Sequence, residues 1–130
     1  MMQQTAILLR GPAGVGKSTI GGLLQTALGE GWAHLDIDRL KHVMSKESSE
    51  QRSRIAHDVA NYFLEQLFSQ KYQVIAEEIF FEPYFHQVVE LCRQHNIRVH
   101  QFFLTAPLDV LLKRDQDRAV KTKGYENISK

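Results

Sequence analysis

Gly11-Pro12-Ala13-Gly14-Val15-Gly16-Lys17-Ser18-Thr19 sets three glycines, one lysine and two hydroxyls at the spacing G-x-x-x-x-G-K-S, the Walker A or P-loop pattern. Each residue type has a chemical use there. Gly11, Gly14 and Gly16 let the backbone take positive φ and approach a ligand with no Cβ in the way. The N–H groups of the loop, those of Ala13 and Val15 included, then turn inward as an anion nest at the positive end of the following helix. Lys17 supplies a mobile positive charge for the β- and γ-phosphates, and Ser18 a hydroxyl for Mg²⁺. Thr19 stands one residue further into the helix, where its hydroxyl reaches a phosphate nearer the base. The chemistry is binding of a nucleoside triphosphate with magnesium. An incidental glycine-rich turn explains neither the lysine nor the hydroxyls at these offsets.

Two acidic pairs follow. Asp36 and Asp38, two residues apart, come just past a short apolar stretch. One can take a proton from a substrate hydroxyl while the other holds magnesium waters; capping of the helix that starts near Arg39 is a compatible, plainer use. Glu77 and Glu78 end the apolar run Val74-Ile75-Ala76, the form of a Walker B segment with glutamate in place of aspartate. Either can orient magnesium, a water or an acceptor hydroxyl, or simply stand as a strand-end charge in water. Arg52 and Arg54 are placed to reach an anionic acceptor across the cleft, or else are solvated. Arg114, Arg118 and Lys121 recur at helical spacing on one face. They read either as a solvated helix or as a lid, spanning about 113–125, whose arginines close over the transferring phosphoryl group.

These groups need elements to hold them. Residues 5–10 are apolar on both faces, as in a central parallel strand. The helix after the loop carries Ile20, Leu23, Leu24, Ala27 and Leu28 as its apolar stripe and stops near Gly29 and Gly31. A second strand is expected at 33–35. A long helix over about 50–69 offers Ile55, Ala56, Val59, Ala60, Phe63, Leu67 and Phe68 as its buried face, after a polar loop that caps it. A third strand is expected at 73–78. A helix opened by Pro83 buries Phe85, Val88, Val89 and Cys92, and a fourth strand runs over 97–104. Pro107 starts a last helix with Leu108, Leu111 and Leu112 inward. The alternation predicts an α/β, three-layer P-loop NTPase fold: a parallel sheet of four strands with helices on both faces, forming one domain over residues 1–130.

Composition agrees with one soluble globular domain: 130 residues, 43% hydrophobic, 24% charged, with a net charge of +1. That charge gives no general attraction to nucleic acid or an anionic membrane. No apolar run approaches the roughly 20 residues of a membrane span, and the start lacks the basic region of a signal peptide, so a cytoplasmic location is expected. Cys92 is the only cysteine, which rules out an internal disulfide and a thiolate zinc site and favours a buried structural role. No close pair among the histidines has metal-ligand spacing.

Taken together, the P-loop, Leu35-Asp36-Ile37-Asp38-Arg39, the Glu77-Glu78 strand end and Leu111-Leu112-Lys113-Arg114-Asp115-Gln116-Asp117-Arg118 resemble a small P-loop kinase. The group includes shikimate and gluconate kinases, adenylylsulfate kinase, chloramphenicol phosphotransferase and zeta-toxin-like kinases. The resemblance implies ATP, Mg²⁺ and transfer of the γ-phosphate to a hydroxyl of a small-molecule acceptor. It matches Asp38 to the base, Asp36 to a support for that base or for magnesium, and Arg114 and Arg118 to lid arginines, Arg114 toward ATP. Two departures stand out. The third-strand segment lacks the glycine-rich or aspartate-bearing motifs that name an acceptor. Nothing after Leu112 reads as the fifth strand that members of the group carry, so a C-terminally truncated member is expected, with the fourth or first strand as an exposed edge open to self-association. An ATP-hydrolysing protein, with Glu77 or Glu78 placing a lytic water, and a non-catalytic nucleotide-binding remnant are the competing expectations. A GTPase is disfavoured because no N-K-x-D motif occurs.

Overall fold

The computed structural model describes residues 3–113. In chain order the elements are β1 (Thr5–Arg10), α1 (Lys17–Leu28), β2 (Trp32–Asp36), α2 (Ile37–Met44), α3 (Glu50–Ser69), β3 (Gln73–Glu78), α4 (Glu82–Gln94) and β4 (Arg98–Phe103). Residues 108–113 are helical as well. All neighbouring strands are parallel, in the order β2-β3-β1-β4. Right-handed crossovers then put α1 on one face of the sheet and α2, α3 and α4 on the other. The contacts agree: α1 meets β1, β2 and β3, α2 and α3 meet β3 and each other, and α4 meets α3 and β4. The expected three-layer α/β architecture is present.

The larger core lies between the sheet and α3 and α4. Leu8, Val74 and Ala76 from the strands meet Ala60, Leu64 and Phe68 of α3 and Phe85, Val88 and Cys92 of α4 there, all buried. Ser49 caps α3 by accepting from the Arg52 N–H at 3.0 Å, as the polar loop predicts. Pro83 stands in the first turn of α4, where its missing N–H costs nothing.

Three sequence expectations are corrected. The stripe assigned to α1 is not its buried face: Leu23, Ala27 and Leu28 are exposed, and Lys17 and Gly21 are buried. Lys17 must point back into the loop, which fixes the helix phase and turns the 17, 21, 24 and 25 side to the sheet. On α3 the buried residues are Arg52, Ala56, His57, Ala60, Leu64 and Phe68, whereas Ile55, Val59 and Phe63 are exposed. The helix carries two apolar stripes, and the one with small alanines and two inward polar groups faces the sheet. Leu108 and Leu112 are exposed and Leu111 is half-buried, since no described element lies beyond β4 for that helix to cover. Of the two candidate edges, β4 is an edge of the described sheet and β1 is not, because β1 runs between β3 and β4.

Candidate phosphate-binding and phosphotransfer site

The P-loop joins the end of β1 to the start of α1, at the carboxyl edge of the sheet where open α/β folds bind ligands. Gly16 is the N-cap of α1 with φ 104, in the left-handed region, and α1 has no side-chain cap and no acidic residue in its first turn. A helix start built this way leaves its first-turn amides without intrahelical partners and its dipole uncompensated. Gly11 is fixed by crowding: a Cβ there would lie 2.6 Å from the Leu104 carbonyl oxygen. Lys17 is buried, and its Nζ donates to the carbonyls of Gly11 at 2.7 Å and Pro12 at 3.0 Å. The loop thus holds its lysine curled against its own backbone. These features fit a polyphosphate.

Period-2 alternation along β3 gives its two terminal glutamates opposite faces. Glu77 points to the α1 side. Its Oε1 accepts from Ser18 Oγ at 2.5 Å, and its Oε2 is hydrogen-bonded to His34 Nε2. Asp36 Oδ2 lies 3.2 Å from the same hydroxyl, and Asp36 pairs with Glu77 in the β2–β3 register. The hydroxyl proton serves one carboxylate at a time, which leaves the Ser18 lone pairs for a metal ion. A Cβ on Gly21 would collide with the His34 ring and the Glu77 carboxylate, so glycine lets α1 come this close. Among the described residues no group of three or more His, Cys, Asp or Glu could hold a metal. Ser18, backed by Asp36 and Glu77, therefore fits Mg²⁺ of the kind bound mostly through phosphate oxygens and water.

Glu78 points the other way and is buried. Its Oε2 lies 2.7 Å from Lys41 Nζ and its Oε1 2.6 Å from His57 Nε2. Lys41 Nζ also reaches Asp38 Oδ1 at 3.3 Å. Burial pulls the Lys41 ammonium down, but its hydrogen bond to Glu78 and the charges of Glu78 and Asp38 outweigh this and leave its pKa above 10.5. The His57 ring stacks on Tyr84 at 3.7 Å, and its Nδ1 donates to the Ser53 carbonyl at 2.6 Å.

A cleft of about 1440 Å³ runs from the P-loop to the start of α3. Residues 13–19, Asp36, Asp38, Arg52 and Glu77 all line it, so most of the sequence candidates come together. Asp38 is in the first turn of α2 with about a third of its side chain exposed. Arg52 is clasped inward, donating to the Ser45 carbonyl at 2.8 Å and to Ser48 Oγ at 3.3 Å, so it shapes the wall. Arg54 is exposed and Glu78 is turned into the core, and neither lines the cleft. Arg114, Arg118 and the lid beyond Lys113 lie outside the described residues. Sequence reasoning missed His34, Lys41 and His57. His34 was within reach, being two residues before Asp36 and hence on the same strand face; His57 gives no local signal, since its partner comes from another element.

A family model described as an AAA domain matches residues 7–130. Comparison of the sequence with curated proteins finds no match. Among solved structures, a Chloroflexus aurantiacus protein described as a kinase superposes with a TM-score of 0.81 at 21% identity, over 95% of this chain and 71% of that one. The APS kinase of Mycobacterium tuberculosis, in complex with AMPPNP and APS, gives 0.73 at 19% identity over 97% and 77%. A gluconokinase from Sinorhizobium meliloti 1021 gives 0.66 at 17% identity over 91% and 67%. At such identities the likeness is one of fold. With the family model spanning nearly all of the sequence and the phosphate loop in place, the chain belongs to the AAA domain family and has the fold of the small P-loop kinases.

Proposed function

We propose that this chain is an ATP-dependent phosphotransferase that moves the γ-phosphate to a hydroxyl of a small-molecule acceptor. The observation that carries the reading is one cleft in which the P-loop and Asp38 share a wall. In this scheme the loop amides and Lys17 bind the triphosphate, with Lys17 leaving the Gly11 and Pro12 carbonyls for phosphate oxygens. Asp38 takes the acceptor's hydroxyl proton while that oxygen bonds to the γ-phosphorus and the bond to the β-bridging oxygen breaks. Lys41 holds one oxygen of Asp38 in place. Ser18 with Asp36 and Glu77 would hold Mg²⁺, which neutralises charge on the phosphates. Arg114 and Arg118 remain lid candidates. Arg52 bounds the acceptor end, and Arg54 has the weaker claim because it is exposed.

Simple ATP hydrolysis has one observation in its favour: Glu77, buried at the Walker B position, touches the P-loop serine and is placed to orient a water. ADP release from Mg·ATP, with and without a panel of hydroxylated metabolites, nucleosides and antibiotics, separates the readings. Acceptor-dependent turnover supports phosphotransfer, equal turnover without acceptor supports hydrolysis, and binding without turnover supports a non-catalytic remnant. Self-association through β4 belongs to the same proposal, since β4 is an edge strand of the described sheet with exposed Phe102 and Phe103. No helix among the described residues is long and apolar enough to cross a membrane.

A further inference from the structure

We propose that a second, aromatic-walled pocket beside the phosphate cleft receives a planar ring carried by the acceptor alcohol. This rests on the phosphotransfer reading and narrows its substrate class. The pocket has a volume of about 530 Å³ and is walled by Pro12, Ile79, Phe81, Phe103 and Ala106, with Arg10 at its base. That volume falls within the range of small-molecule sites, roughly 300–1,000 Å³.

The pocket is continuous with the cleft. Ile79 and Phe81 line both, so a ligand presenting a hydroxyl toward Asp38 can extend past these two side chains without leaving the protein surface. The wall between them is also built. Phe80 has φ 57, the left-handed region that a bulky residue rarely adopts. Its ring is buried and meets the Phe85 ring edge-on at 5.7 Å. Arg10 Nη2 donates to the Phe80 carbonyl at 2.9 Å and lies 3.3 Å from Glu82 Oε1, while the guanidinium covers the Phe85 ring at 3.8 Å. The chain reversal that sinks Phe80 into the core throws Phe81 out, leaving it 65% exposed, and Phe103 at the end of β4 is 64% exposed.

The chemistry of the wall selects the ligand. Arg10, the cation at its base, already serves Phe80 and Glu82, so the pocket offers rings and aliphatic carbon more than hydrogen bonds. A polyol or sugar acid would lose its hydration there without replacement. A flat aromatic ring would gain stacking on Phe81 or Phe103.

The test uses the full chain saturated with Mg·AMPPNP and, in parallel, without it. Phenyl β-D-glucoside and thymidine are titrated as alcohols bearing a planar ring, with methyl β-D-glucoside and methyl 2-deoxy-β-D-ribofuranoside as their respective counterparts without one. At least one planar-ring probe is expected to bind about tenfold or more tighter than its own counterpart without the ring, the size of one base-on-aromatic stacking contact. Phe103→Ala and Phe81→Leu should each remove most of that preference, while Phe103→Ala keeps Mg·AMPPNP affinity within about threefold. Absence of any ring preference, or a preference untouched by both substitutions, overturns the pocket assignment. So does parallel weakening of AMPPNP in Phe103→Ala, which would make the pocket the seat of the nucleotide's own base. If the unsubstituted chain fails to bind Mg·AMPPNP at all, the phosphotransfer reading itself falls, a result distinguishable from the others.

Discussion

Two neighbouring carboxylates, Glu77 and Glu78, show how much one residue of parity decides. Glu77 shares the Ser18 hydroxyl with Asp36, and Glu78 is locked between Lys41 and His57. Their substitutions should therefore fail in different ways. Glu78→Ala takes from the buried Lys41 ammonium its nearer carboxylate and leaves it Asp38 at 3.3 Å, and since losing one partner of a buried pair costs about 3–5 kcal/mol, urea denaturation should show a loss approaching that size. Glu77→Gln should leave the midpoint much closer to the parent and lower magnesium-dependent turnover. At Asp38, replacement by asparagine should preserve ATP affinity and cut acceptor phosphorylation by about 10²-fold or more, the effect of losing a general base; rates within a few-fold of the parent would reduce Asp38 to a structural residue of α2. The P-loop was legible in the sequence because phosphate chemistry fixes its spacing locally. The division of labour between Glu77 and Glu78 was not, since it depends on which face of β3 α1 covers.

At the scale of elements, strand and helix positions were readable to within a residue or two, whereas helix phase was not. Hydrophobicity alone marked Leu23 and Leu28 on α1, but Lys17 and Gly21 set the face. Gly21→Ala should therefore be destabilising despite the higher helix propensity of alanine, because its methyl meets His34 and Glu77; a raised melting temperature would contradict this packing. On α3, Arg52 stood out as a cation, but the inward turn of Arg52 and His57 was not legible because their partners lie in the 45–48 loop and on β3. In α4, Cys92 met its expectation of burial, which pushes its thiol up to about 12 from 9.0. The neutral thiol is favoured in the fold. Its contribution to stability is full below pH 9.0 and disappears as pH rises toward about 12. Cys92→Ala should flatten that part of the alkaline decline in urea stability, and a thiol reagent at pH 8 should modify Cys92 only after denaturant is added. Rapid labelling of the native chain would show the thiol to be accessible.

For the whole molecule, the alternation of strands and helices was enough to predict a parallel, three-layer sheet. Strand order was beyond it, because nothing local records that β1 runs between β3 and β4. That arrangement places the P-loop, the Asp36 end of β2 and the Glu77 end of β3 on one edge. Three segments distant in sequence therefore meet at Ser18. The central claim is that this edge holds the phosphates of Mg·ATP, and calorimetric titration of the full chain and of Lys17→Ala tests it most directly. Saturable binding to the parent and a loss of about tenfold or more in the variant, the usual size of a charge-assisted contact, are expected. No heat of association with the parent, or equal affinity for both proteins, would contradict it.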